Sequence, residues 1–444
     1  MKKLLTLLFL PLLANAQSVI LENYVQEGLS SNLALKQQRL EIEKSLKAID
    51  EAKSNLYPKI AFAPNYTVAA GGRKIDFPIG DLLNPVYGTL NQLTQSNEFP
   101  TLDNQQIQFL PHNFHETKLT FQLPLFNSDI KYGIQVKTEL AKSEEAKRKL
   151  LEYELKYQIE AAYYQYLQSL EAINIYNQSG DFLQEYLDFN NRLVEKDIAL
   201  KDVIYSSEYE INKLDGEKAT ARKNSKVAAA YFNFLINREA ESMIEADTLM
   251  LMTSLSKSLA DLQLSALQKR PEFEQIRTGQ QVNNSLLLMQ QKNAVLPSFF
   301  IGGNLGFQGF GYTFKDQGYA LAQIGLNWDL FHGKEKKHKI EQTKIQQHIL
   351  QTKESEIQQQ IKMQVAQAWF EFKGAQENLE ASEKALESTQ KLLKMVEKKY
   401  KNDSALYIEV LKAQNDHQVA SLTASLARFN LRLKKAELEK VTGL

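Results

Sequence analysis

The feature that most constrains this chain is that it is written twice. Leu123-Pro124-Leu125-Phe126 has a counterpart in Trp328-Asp329-Leu330-Phe331, 205 residues later, and from there the offset settles at 206. Gln158-Ile159-Glu160-Ala161-Ala162-Tyr163-Tyr164 then aligns with Gln364-Val365-Ala366-Gln367-Ala368-Trp369-Phe370. A tandem duplication limits the fold to two copies of one supersecondary unit that bury their apolar faces against each other. Upstream, Leu56-Tyr57-Pro58 pairs with Val295-Leu296-Pro297 at an offset of 239, so 34 extra residues lie in one insertion in the first repeat. Residues 71 to 116 are rich in Gly, Pro, Asn and Gln, which predicts that the insertion is an exposed loop.

Each repeat reads helix, strand, strand, very long helix, turn, helix. In the first long helix Ala162, Tyr166, Ser169, Ile173, Tyr176, Gly180, Leu183, Leu187, Asn190 and Val194 alternate steps of four and three. Ala368, Phe372, Ala375, Leu379, Ser382, Leu386, Thr389, Leu393, Val396 and Tyr400 repeat that register, the spacing of a coiled-coil seam. With no proline from 129 to 196, such a helix spans about 100 Å at 1.5 Å per residue. Shorter helices over 20–56 and 205–237, and again over 265–296 and 405–440, have the summed length to stack beside each long one.

The strands are short and alternate. Leu119, Phe121 and Leu123 oppose Lys118, Thr120 and Gln122, and Ile324, Leu326 and Trp328 oppose Gln323, Gly325 and Asn327. One apolar and one polar face over roughly 9 to 11 residues is the form of an outer-membrane barrel strand. Four strands cannot close a barrel, and an open edge in lipid leaves backbone groups unpaired, so strands that meet lipid require oligomerisation. The expected organisation is a signal peptide at 1–16 and repeat 1 at 17–237, with strands at about 59–70 and 117–126. A connecting segment at 238–264 leads to repeat 2 at 265–444, with strands at about 298–308 and 319–331.

The leader prediction rests on Lys2 and Lys3, the apolar run Leu4 to Leu13, and the small-x-small site Ala14-Asn15-Ala16. Beyond it no run of about 18 apolar residues predicts a transmembrane helix. Equal numbers of basic and acidic residues, 53 of each, give no basic face for nucleic acid. With no cysteine there is neither a disulfide framework nor a thiolate zinc site. Gly309-Phe310-Gly311 is followed by no Gly-Lys-Ser/Thr and no helix, and neither His-Glu-x-x-His nor Gly-x-Ser-x-Gly occurs, so no enzyme, cofactor or metal site is expected. His112 and His115 lack a third ligand nearby and read as loop histidines. Lys334 to Lys339 reads as a solvated face near the barrel rim.

Three further signals, Ala266-Leu267-Gln268-Lys269-Arg270-Pro271-Glu272 before Leu296-Pro297, Leu29-Ser30-Ser31-Asn32 before Tyr57-Pro58, and Tyr400 to Gln414, join the duplication. Together they make the chain resemble the TolC-type outer-membrane efflux proteins over essentially its whole mature length. The resemblance implies a mixed fold, a membrane β-barrel of twelve strands in a homotrimer continuing into a long α-helical barrel across the periplasm. It also implies outer-membrane lipid around the strands, a periplasmic adaptor and an inner-membrane transporter as partners, and a passive conduit for efflux or type I secretion. The same heptads suit an exported coiled-coil scaffold or adhesin stalk without transport, and sequence leaves that alternative open. In the family a Tyr-x-x-Gly-x-x-Ser/Thr-x-x-Asp-Val-Leu pattern marks the turn nearest the pump. Here Asp403 stands for the glycine, as does its mate Asp197, while Leu406 and Leu200 stand where a hydroxyl is common. The resemblance makes these four residues candidates for adaptor contact at the periplasmic tips. It makes Glu409 a candidate carboxylate ring at the pore entrance and Tyr400 a candidate closed-state lock, whose usual arginine companion is Ala405 here.

Overall fold

In the computed structural model residues 19–247 and 257–443 are described. The predicted leader lies outside them. The first repeat runs α1 (Val19–Ser31), α2 (Leu33–Ser54), β1 (Lys59–Thr67), β2 (Lys74–Phe77), α3 (Ile79–Thr94), β3 (Gln105–Gln108), β4 (Phe114–Phe126), α4 (Ser128–Glu195) and α5 (Asp202–Leu235). The second runs α6 (Leu259–Lys269), α7 (Pro271–Val295), β5 (Ser298–Phe310), β6 (Gly318–Asn327), α8 (Glu335–Lys401) and α9 (Tyr407–Thr442). Two compact units are formed, one from residues up to 46 with 139–283 and 345–444, the other from 47–138 with 284–344. No helix among the described residues is long and apolar enough to cross a membrane.

In the helical unit each repeat has its own core. Phe232 and its repeat mate Leu438 are fully buried, as are the mates Ile159 and Val365. The predicted seam of α8 is followed closely, with Ala368, Phe372, Ala375, Ser382 and Leu393 buried. In α4 only Ala162, Leu183 and Asn190 of the predicted seam are buried, and beside it Tyr163, Leu167, Ile175, Ser179 and Tyr186 are buried.

The leading helix of each repeat is broken, where the sequence predicted one continuous element over 20–56 and one over 265–296. Proline at 271 keeps Arg270 out of helical conformation, at φ −65° and ψ 130°, and is itself well placed to start α7. Helix α6 begins at Leu259, inside the predicted connector 238–264, because Ser258 caps it by accepting the Asp261 N–H. In the first repeat Asn32 makes the break by accepting the N–H groups of Ala34 and Leu35. Both breaks hold the end of the repeat's last helix. Asn32 Nδ2 donates to the Leu235 carbonyl at 2.9 Å, and Arg270 Nη1 donates to that of the mate, Val441, at 3.4 Å. Carbonyls that a helix C-terminus leaves without intrahelical partners are satisfied in this way.

The second unit carries a four-stranded antiparallel sheet in the order β1-β4-β5-β6, so the two repeats meet where β4 pairs with β5. Strand β4 starts at Phe114, three residues before the predicted 117, since Phe114 pairs with Phe310 and their rings meet at 5.5 Å. Strand β1 ends at Thr67 and β6 at Asn327, short of the predicted 70 and 331. On one face Phe62, Leu119 and Leu305 lie in register, as do Ile301 and Ile324, and Phe62, Leu305 and Ile324 are 66, 62 and 77% exposed. The other face is polar. There Lys118 pairs with Glu116 at 2.9 Å and the Tyr319 hydroxyl donates to that carboxylate. Among the described residues both edges, β1 and β6, lack a partner strand in this sheet.

The insertion is a folded element instead of a plain loop. Strands β2 and β3 pair, with helix α3 between them. His115 belongs to strand β4 and is fully buried, its Nε2 2.8 Å from the Thr313 carbonyl and 2.7 Å from Gln317 Oε1. His112 Nδ1 accepts the Ala69 N–H, so both histidines serve the hairpins.

Candidate functional site

The two turns that end α4 and α8 are built alike. Asp197 and Asp403 both sit at φ +56°, in the left-handed region. Ile198 N–H reaches back to the Leu193 carbonyl and Asp197 N–H to that of Val194, while Ser404 and Asp403 do the same to Lys399 and Tyr400. This is a Schellman closure at each tip, with aspartate where glycine is usual. Aspartate tolerates this conformation better than most residues, and a β-branched side chain does not. Asp403→Gly is therefore expected to leave thermal stability within about 0.5 kcal/mol, while Asp403→Val loses about 1–2 kcal/mol. Thermal unfolding followed by circular dichroism checks this, and equal loss in both variants would remove the turn from the account.

Just inside the turns a chain of hydrogen bonds ties four helices. The Tyr400 hydroxyl of α8 donates to Asn190 Oδ1 of α4 at 2.7 Å, and Asn190 Nδ2 donates to Ser207 Oγ of α5 at 3.2 Å. Ser207 and the Tyr407 hydroxyl of α9 share a hydrogen bond of 2.7 Å. Asn190 and Ser207 are fully buried, and Tyr186 stacks on Tyr407 with ring centroids 6.3 Å apart. Leu183, Val410 and Leu411 complete the cluster. Burial pushes the Tyr400 phenol up to about 12, and the neighbouring Tyr407 and two aspartates add to the shift. Tyr407 is raised by the same cause. A buried network with every hydroxyl and amide used holds its members rigidly.

Of the residues singled out by sequence, Tyr400 lies in this network, whereas Leu200 and Leu406 stay outside it, 78 and 69% exposed. Glu409 is exposed at the third position of α9, and its Oε1 accepts the Leu406 N–H at 3.1 Å. It caps that helix, a role the sequence reading did not assign. Asn190 was legible only as a seam position, and Ser207 and Tyr407 were missed. A polar residue on an apolar seam is the signal that could have found Asn190. Among the described residues no three His, Cys, Asp or Glu side chains converge as a metal site.

Residues 263–444 match the outer membrane efflux protein family. The second repeat is thus similar to outer membrane efflux proteins. No curated protein matches the sequence. Among solved structures, the outer membrane protein VceC of Vibrio cholerae is 12% identical with a TM-score of 0.72, covering 95% of this chain and 96% of its own. The CmeC outer membrane channel of Campylobacter jejuni is 11% identical with a TM-score of 0.74, covering 96% of this chain and 86% of its own. The MtrE outer membrane channel of Neisseria gonorrhoeae, in its open state, is 16% identical with a TM-score of 0.72, covering 96% of this chain and 89% of its own. At these identities the likeness establishes the fold. The family match, over 263–444, adds a similarity to proteins of the outer membrane that serve efflux.

Proposed function

We propose that three copies of this chain form one conduit from periplasm to exterior, the outer-membrane component of a tripartite efflux or type I secretion system. The observation that carries this reading is the sheet. Four strands with one exposed apolar face, one polar face and two unpaired edges are stable in lipid only when further copies supply the missing strands. Three sheets of four give the twelve-stranded barrel of the family. The apolar face then meets lipid and the polar face lines the channel. In this reading the first repeat is 17–237, and the second opens with α6 at Leu259 in place of 265.

The helical unit is the periplasmic extension in this reading, and its tips meet the partners. Asp197, Leu200, Asp403 and Leu406 contact the periplasmic adaptor, the exposed leucines supplying apolar anchors beside each turn. The adaptor in turn couples the channel to an inner-membrane transporter. Tyr400, through Asn190, holds the tips in their closed arrangement, and Glu409 lines the entrance.

The test is assembly and conduction. Protein extracted from the outer membrane is expected to run as a heat-resistant trimer and to form channels in a planar bilayer. A monomeric chain recovered without conductance would overturn the conduit and favour an exported scaffold.

A further inference from the structure

Helix α3 in the insertion is clasped on one side only. Asn84 exchanges two hydrogen bonds with the backbone of Leu102, at 2.8 and 2.9 Å, and one helical stretch further on Asn91 does the same with Phe99, at 2.9 and 3.1 Å. Tyr87 packs its ring on Phe99 at 5.6 Å. Gly80 permits the close approach, since a Cβ there would stand 2.3 Å from the Leu102 carbonyl oxygen. The opposite side is bare. Leu82, Val86 and Leu93 are 67, 51 and 76% exposed, and with Thr89 they are spaced by four, three and four residues.

Three observations say what covers this stripe. Steps of four and three are those of a seam that meets another helix, whereas a lipid surface asks only for an apolar face. Arg73 and Lys74 at its start are the only basic residues of the insertion, and from there to Lys118 there is no Lys or Arg, while Asp76, Asp81, Glu98 and Asp103 are acidic, so helix α3 and its return carry no cation for lipid phosphates. Finally, the insertion leaves the sheet from β1, the edge strand whose free side awaits a neighbouring copy. We propose that inserts of neighbouring copies pack α3 against α3 through this stripe, drawing three helices together over the outer mouth of the barrel. The proposal rests on the trimeric reading above.

The chain has no cysteine, so a single introduced thiol reports only contact between copies. Val86→Cys is oxidised with copper phenanthroline in purified trimers, with Leu93→Cys as a second seam position. The control is Gly88→Cys, on another face of α3, where an added Cβ meets open space. Disulfide-linked dimers are expected several-fold more abundant in the two seam variants than in the control. Equal linkage in all three overturns the proposal. So does a heat-resistant trimer whose Val86→Cys fails to link and reacts with a water-soluble maleimide as fast as Gly88→Cys, an outcome that leaves the stripe for another occupant and the trimer intact. Absence of the trimer in the unmodified protein removes the conduit reading and this proposal together.

Discussion

Replacing Asn190 with alanine is expected to release the periplasmic tips and produce the largest rise in conductance of any single change in the helical unit. Asn190 is fully buried and connects Tyr400 to Ser207, so its loss takes the acceptor from the half-buried Tyr400 hydroxyl, while Ser207 keeps the Val203 carbonyl and the Tyr407 hydroxyl. At about 1–3 kcal/mol for a buried group left unpaired, one half-buried hydroxyl without its acceptor costs the closed arrangement on the order of 1.4 kcal/mol, which shifts a closed-to-open ratio about tenfold. Tyr400→Phe removes one bond of the network and has the smaller effect. Local release is readable without a channel, as faster proteolysis around 197 and 403. Wild-type conductance together with wild-type proteolysis in Asn190→Ala would remove the network from gating.

The same network sets a pH dependence. Its members are neutral, and burial raises the Tyr400 phenol from 10.0 to about 12. A group whose folded value is raised contributes fully below its unfolded value and loses that contribution as pH rises through the folded one. The stabilisation from Tyr400 is thus present throughout the acid and neutral range and disappears only in alkali, from about 10 to about 12. Asparagine at 190 matters here, because a carboxylate in its place would titrate in acid.

The fold was legible where the chain repeats itself. A single offset of 206 carried Asp197 onto Asp403, and the structure gives both the same φ and the same closing hydrogen bonds. Alternation marked the apolar face of the sheet, since Leu119, Phe121 and Leu123 can share one face only in a strand. What escaped depends on contacts distant in sequence. The break at Asn32 is made by a side chain that reaches Leu235, and the break at Arg270 by a proline that bars the residue before it from helical conformation. The insertion looked like a loop because its composition is that of a loop, yet Asn84 and Asn91 fold it through paired bonds that composition does not reveal. Ser207 and Tyr407 lie on different helices from Asn190 and Tyr400, so no local pattern joins them.

Glu409 is where a structural role and a pore role can be separated by one atom. Its carboxylate caps α9 through the Leu406 N–H, and an amide oxygen serves that purpose as well. Glu409→Gln therefore keeps the helix end and removes only the charge, whereas Glu409→Ala also loses the cap, at about 0.5–1 kcal/mol. If three copies bring this exposed residue together at the entrance, the wild-type ring binds multivalent cations, as charged rings in channels do. Hexamminecobalt added to the periplasmic side of a planar bilayer is then expected to block wild-type current and to leave Glu409→Gln conducting. The two variants lose block alike while only the alanine loses stability, a pattern that a purely structural carboxylate does not give. Equal block of wild type and Glu409→Gln would leave Glu409 as a helix cap and place ion selectivity elsewhere along the tunnel.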